Sequence, residues 1–218
     1  KEVNAVEGIE RIRFVTSHPK DFSGKLMQAM AELEKVCEHM HLPLQSGSGR
    51  VLGLMDRGYS YDDYRMKIDR LRDIMPEIAI TSDIIAGFPG ETDDDHKDTV
   101  KALKEIGFDG IFAFKYSPRP GTKAALMEDG LEDIIKSERL AEILEVQDAI
   151  TGRINKGYEN TVQEVLVEGV SVTDANVLTG RTRTNKIVNF SGITCDKNSI
   201  VNVRIVESKK YSLRGAPL

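Results

Sequence analysis

The 218 residues include no tryptophan, two cysteines and four histidines, and only 6% are aromatic. Each shortage excludes something. Cys37 and Cys195 are too few and too far apart for a disulfide framework, so a reducing cytoplasm is the expected setting. No apolar run approaches the ~20 residues that a membrane span needs, and no secretory leader opens the chain. A metal site built on two distant cysteines would need further ligands close by, so no metal ligand is assigned. Cys37 reads as a small core residue between Val36 and Met40, and Cys195 falls in a turn-rich stretch.

What remains is ordinary for a folded protein: 40% hydrophobic and 30% charged residues, enough for one large or two modest domains. The net charge of −5 is unevenly spread. Residues 1–154 carry 21 Lys/Arg against 29 Asp/Glu, and residues 155–218 carry 9 against 6. An acidic body with a basic tail hints at an anionic partner for the tail.

Hydrophobic periodicity divides the chain at the same place. Ile12–Val15 reads as a short strand stopped at Thr16-Ser-His-Pro19. Leu26, Met30, Leu33, Val36 and Met40 follow helical spacing behind a Ser23 cap. His41–Gln45 is a second strand. Ser60 caps a helix through Tyr64, Ile68, Leu71 and Met75, ended by Pro76. Ile78–Ile85 is almost wholly apolar or β-prone, as a strand buried in a parallel sheet should be. Thr92 caps the next helix, where Asp93, Asp94 and Asp95 complement its dipole better than they suit a metal. Gly110–Tyr116 is a fourth strand. Strands beginning near 12, 41, 78 and 111 repeat at roughly the size of a βα unit. A longer helix from about Leu131 to Arg153 leads out. Beyond Gly157 the period falls to two in Val162–Val167, Lys186–Phe190 and Ile200–Val206, which predicts a small antiparallel β-barrel. The fold class is therefore α/β followed by a β-barrel, with domains at 1–154 and 155–218.

Three strand ends carry polar residues on Gly- or Pro-bearing loops: His41-Leu-Pro-Leu-Gln-Ser-Gly-Ser-Gly49, Thr81-Ser-Asp-Ile-Ile-Ala-Gly-Phe-Pro-Gly-Glu91 and Phe114-Lys-Tyr-Ser-Pro-Arg-Pro-Gly-Thr122. Met55-Asp-Arg-Gly58 follows the first. Strand C-termini are where parallel α/β barrels keep their chemistry. Gln45 can both donate and accept, as a ribose hydroxyl requires, and Asp83 is an acceptor for a ribose diol. Arg57 offers a planar fork that fits a carboxylate. Taken singly each has a bland alternative: Gln45 closing a loop, Arg57 pairing with Asp56 or Asp62, Asp83 capping a helix. Together, on successive strand ends, they describe a site.

These strings resemble the radical S-adenosylmethionine methylthiotransferases, from about Arg11 to the C-terminus. The resemblance implies a partial (β/α)6 radical SAM barrel followed by an OB-like TRAM domain. It also implies S-adenosylmethionine as cofactor, held by Gln45, Ser46, Arg57, Ser82, Asp83, Ile85 and Phe88, with adenine along Ile84–Phe88. Lys115 and Arg119 would face substrate. His18 is as well explained by its turn as by a substrate contact. Members of this family hold a 4Fe–4S cluster on a CxxxCxxC motif, which is missing from these residues. The stretch therefore reads as the C-terminal part of such an enzyme, with no catalytic residue of its own, inactive alone, and a partner to its missing N-terminal portion.

In the tail, Gly180-Arg-Thr-Arg-Thr-Asn-Lys186 sets three cations near Phe190. Cations for phosphate plus an aromatic for stacking suit single-stranded RNA, and a basic hairpin turn explains the string equally well. The domain resemblance favours RNA contacts at Arg181, Arg183, Lys186 and Phe190. It also favours the tRNA-acting branch, which adds a methylthio group at C2 of N6-isopentenyladenosine-37 and would meet the anticodon stem-loop. The alternatives are a ribosomal-protein aspartate as substrate, or a non-catalytic RNA-binding module.

Overall fold

A computed structural model describes residues 1–15, 18–128, 130–172 and 174–218. In its first half, β1 (His39–His41), β2 (Ala79–Ala86) and β3 (Gly110–Lys115) form a parallel sheet in that order. Ile12 and Val15 add single parallel bridges to Val36 and His41 at the β1 edge. The turn expected at Thr16–Ser17 lies outside the described residues. Helices α1 (Gly24–Glu32), α2 (Gly49–Leu54), α3 (Tyr61–Ile74), α4 (Asp93–Ile106) and α5 (Asp133–Lys156) follow or separate the strands. On β2, Ile80, Ser82, Ile84 and Ala86 are buried, whereas Thr81, Asp83 and Ile85 are only half-buried. The buried side belongs to a core shared with Leu42, Leu44, Tyr64, Ile68, Leu71, Leu103 and Phe108. The other side is the inner face of a partial barrel.

Local chemistry sets the helix ends. Ser60 with Asp63, and Thr92 with Asp95, form reciprocal capping boxes. The Ser23 hydroxyl accepts from Leu26 N as expected, but α1 stops at Glu32 rather than continuing to Met40. Ile12 accepts from Cys37 N and donates to Lys35 O, so the chain is drawn into pairing and Val36 and Met40 are buried from an extended segment. Helical spacing over Leu33, Val36 and Met40 is coincidental, and tertiary pairing overrides it. Cys37 is nonetheless buried, as expected of a core residue. Gly47 lies against α4: a Cβ there would sit 2.4 Å from Asp98 O and 2.6 Å from Thr99 Cα.

The second half is a closed barrel of β4 (Val162–Val170), β5 (Leu178–Thr182), β6 (Ile187–Phe190), β7 (Ile200–Ser208) and β8 (Leu213–Pro217), ordered β4-β5-β6-β8-β7. Four pairings are antiparallel, but β6 and β8 run parallel, which corrects the wholly antiparallel expectation. Val165, Val167, Val188, Phe190, Val203, Ile205 and Leu213 fill its interior.

Arginines join the two halves. Arg11 Nη1 donates to Arg181 O at 2.6 Å and its Nη2 to Glu164 at 2.9 Å, while Arg13 Nη1 donates to Arg183 O at 3.0 Å. In return, Arg183 donates to both carboxylate oxygens of Glu38, at 2.7 and 2.9 Å, and to Glu34 O and Val36 O. Lys186 Nζ lies 2.9 Å from Asp109 Oδ1 and over the Tyr158 ring. Asn155 at the end of α5 donates to Lys209 O and Lys210 O.

This pairing uses much of the tail hairpin expected to meet RNA. Arg183 and Lys186 face the first domain, Phe190 is core at 1% exposure, and Arg181 pairs with Glu168 at 3.0 Å. Of the three cations, Arg181 is the most open to solvent. The expected outcome of Arg183→Ala is a loss of about 1–3 kcal/mol, the range for hydrogen bonds to a charged group that is only partly desolvated. Urea unfolding in a Glu38→Gln/Arg183→Ala cycle checks it: additive losses would mean that the two residues do not couple.

Candidate functional site

A cleft of about 690 Å³ opens at the C-terminal ends of the three strands. Gln45, Arg57, Asp83, Ile85 and Phe88 line it together, with Lys115, Tyr116 and Arg119 on the far wall. The backbone explains the convergence. Leu42 N donates to Thr81 O, Gln45 N to Asp83 O, and Ile85 N to Gln45 O. Between the His41–Thr81 and Gln45–Ile84 pairings the first strand spends one residue more than the second. This bulge contains Pro43, which has no N–H to contribute, and leaves Gln45 at φ 75°. A glutamine in the left-handed region is costly, and such outliers cluster at ligand sites.

Arg57 is held from behind. Its Nε lies 3.2 Å from the Tyr59 hydroxyl, whose single hydrogen goes to Leu44 O at 3.0 Å, with Pro43 O also within 3.2 Å. Nη2 is buried and makes no hydrogen bond among the described residues. Asp56 pairs with Lys123 rather than with Arg57. The Tyr116 hydroxyl is a second buried polar atom at the cleft with no hydrogen-bond partner among the described residues. Sequence reasoning does not single out Tyr116, although it occupies the end of β3 as Gln45 and Asp83 occupy the ends of their strands. Phe88 meets the Tyr116 ring edge-on at 5.2 Å.

Ser46 and Ser82 do not line the cleft. Both are fully buried: Ser46 lies 3.3 Å from the Thr99 hydroxyl, and Ser82 accepts from Leu44 N at 2.8 Å. Their hydroxyls satisfy backbone and core groups and do not face the cleft, unlike the other residues expected to hold the cofactor. His18 caps its turn by accepting from Lys20 N, the structural role. Gly87, at φ 72°, has its own packing reason, because a Cβ there would lie 2.4 Å from Lys136 Cγ. Gly87 N donates to Glu91, which is paired in turn with buried Arg139, so the 87–91 loop is tied to α5.

Of the three aspartates that open α4, Asp95 binds Arg50 and Ser48 and completes the helix cap. Hydrogen bonds from Arg50, Ser48 and Thr92 outweigh burial and hold its carboxyl well below the ordinary range. Among the described residues, no group of three or more His, Cys, Asp or Glu side chains could hold a metal ion. No helix described is long and apolar enough to cross a membrane.

Residues 1–103 match the family model for the radical SAM superfamily, and residues 149–218 match that for the TRAM domain. Its first half is thus similar to radical SAM domains and its last third to TRAM domains. Over almost its whole length it is similar to proteins named tRNA-2-methylthio-N(6)-dimethylallyladenosine synthase. That of Thermodesulfovibrio yellowstonii is 52% identical over 216 residues, covering 99% of this chain and 49% of the relative. That of Alkaliphilus oremlandii is 49% identical over 215 residues, covering 99% and 46%. The chain thus spans about half the length of these curated relatives. A solved radical SAM enzyme, coproporphyrinogen III oxidase from Escherichia coli, aligns over 76% of this chain and 45% of its own at 13% identity and a TM-score of 0.49, too distant to inform the site.

Burial first, and then Arg13, push His39 down to about 4 from an ordinary 6.5. A lowered imidazole stabilises the fold fully above the unfolded value, and that stability is lost as pH falls from about 6.5 towards 4. Urea midpoints should therefore drop between pH 7 and pH 5, and His39→Gln should flatten the drop. An equally steep profile in the variant would place the titrating group elsewhere.

Proposed function

We propose that this chain is the cofactor-holding and RNA-holding part of a tRNA methylthiotransferase, with Gln45, Arg57 and Asp83 as its S-adenosylmethionine contacts. The observation that carries the reading is the convergence of these three side chains in one cleft of a radical SAM fold. The residues fit the ligand. The unpartnered Arg57 Nη2 suits the amino-acid carboxylate, and Asp83 and Gln45 suit the ribose diol. Ile85 and Phe88 supply an apolar wall for adenine, and the Tyr116 hydroxyl is a further hydrogen-bonding group. When bound beside a reduced iron–sulfur cluster, S-adenosylmethionine supplies hydrogen-abstracting radical chemistry. This chain's share is to hold and orient the cofactor and to exclude water. No step is assigned to a cluster on these residues, and the cluster ligands of the parent enzyme are expected outside them. The similarity to tRNA-modifying relatives makes the adenosine of a tRNA anticodon stem-loop the favoured substrate.

Removing a charged hydrogen-bond partner costs about 1.5–3 kcal/mol, roughly tenfold to a hundredfold in affinity. Arg57→Ala and Asp83→Ala should each weaken S-adenosylmethionine binding by that factor in calorimetry, with the melting transition retained. Unchanged affinity in both would disprove the site.

RNA contact is supported by the TRAM match, and the pairing of Arg183 with Glu38 and of Lys186 with Asp109 favours other cations as its contacts. Arg204 and Arg214 stand exposed on adjacent strands of the barrel wall, and Arg119 and Lys123 stand exposed at the cleft rim. Removing one phosphate-binding cation lowers the slope of log affinity against log salt by roughly 0.7 to 0.9. Filter binding of an anticodon stem-loop should show that decrement for Arg204→Ala and for Arg214→Ala. Slopes equal to the unaltered protein's would move the RNA surface off this wall.

A further inference from the structure

Below the cleft, four polar side chains form a line across the inner face of the sheet. His41 Nε2 lies 3.4 Å from Asp83 Oδ2, and His41 Nδ1 lies 3.1 Å from Thr81 Oγ1. Thr81 Oγ1 in turn lies 3.3 Å from His39 Nε2. The alternation of β1 and β2 places all four on one side, and the Phe112 ring meets His41 edge-on at 5.9 Å.

We infer that His41 is a positioning residue for Asp83, fixing the carboxylate assigned under the proposed function to the ribose. An ionised carboxylate only accepts, so His41, which meets it at a 3.4 Å charge-pair separation rather than in a close hydrogen bond, faces it with Nε2–H. In the neutral ring Nδ1 is then an acceptor, and the one hydrogen of the Thr81 hydroxyl goes to it. The Thr81 oxygen is left to accept from His39 Nε2–H. Each hydrogen has one place, and the line ends on Oδ2, which leaves Oδ1 of Asp83 for the cleft. His39, kept neutral by its burial, supplies the fixed donor at the far end. The tautomer of a histidine is set by what its other nitrogen meets, and here Thr81 sets it. Asp83 is the only member of the line that borders the cleft, so His41 and Thr81 act through it.

The inference rests on Asp83 as a cofactor contact, and the test separates the two ideas. S-adenosylmethionine is titrated calorimetrically into the full chain, unaltered and as His41→Leu, His41→Gln, Asp83→Asn and His41→Leu/Asp83→Asn. His41→Leu should weaken binding roughly twofold to fivefold, the worth of one loose polar contact, and His41→Gln, whose amide can still donate, should restore most of it. In the Asp83→Asn background His41→Leu should cost little more, because the residue acts only through that carboxylate. Full additivity, or no loss in His41→Leu while Asp83→Asn is weakened, overturns the positioning role and leaves the site reading intact. No binding by the unaltered chain overturns both. Nitrogen-15 NMR of the imidazoles at pH 8 gives a readout independent of the ligand. His41 should be the Nε2–H tautomer and should lose that preference in Thr81→Val; an Nδ1–H tautomer in the unaltered protein overturns the proposal.

Discussion

The parallel pairing of the first strand with the second is the constraint on which the rest depends. It begins as a regular ladder at His39–His41, is interrupted where Pro43 cannot donate, and resumes at Gln45 after a one-residue slip. The regular part puts His41 beside Thr81, with Asp83 within reach of its ring. The slip then turns Gln45 into the left-handed region at the cleft. Had the ladder run on in register, Gln45 would pair one residue further along β2, and the bend that re-aims its side chain would be lost.

Around that ladder, polar groups sort by what each can reach. Ser46, Ser48, Ser82, Thr99 and Asp95 satisfy one another and nearby backbone on the helix side, which fixes the loops without presenting chemistry. Arg57 is held through its Nε and its ring contact with Tyr59, and its buried Nη2 is left without a hydrogen-bond partner among the described residues. The same sorting governs the domain seam. Arg11, Arg13 and Arg183 direct donors at carbonyls of the opposite domain, and Arg11 and Arg183 also at a carboxylate there, and a guanidinium used in that way is less available for phosphate.

Much of this was legible in the residues. Ser60 and Thr92 announced their helices because a cap is local, involving a side chain and an amide three residues on. The cleft was legible through Gln45, Arg57 and Asp83 because strand ends in parallel sheets all point to one rim. The overlong first helix was not, since Val36 and Met40 satisfy helical spacing and strand burial alike, and only the bridge to Ile12 decides between them. Two barrel strands also went unread. Leu178–Thr182 and Leu213–Pro217 are short, carry glycine, and are defined by their neighbours.

The sequence by itself determined the alternation of strands and helices in the first half, the change from helical to strand period after Gly157, and the chemistry available at each strand end. Tertiary structure alone decided how those groups are used. Arg183 and Arg57 are the same residue type, yet one closes a domain seam against Glu38 while the other keeps a free nitrogen at a cleft. The physical reason is that a hydrogen-bonding side chain takes its role from the partners within about 3 Å, and partners 145 residues away in sequence, as Glu38 is from Arg183, leave no local mark.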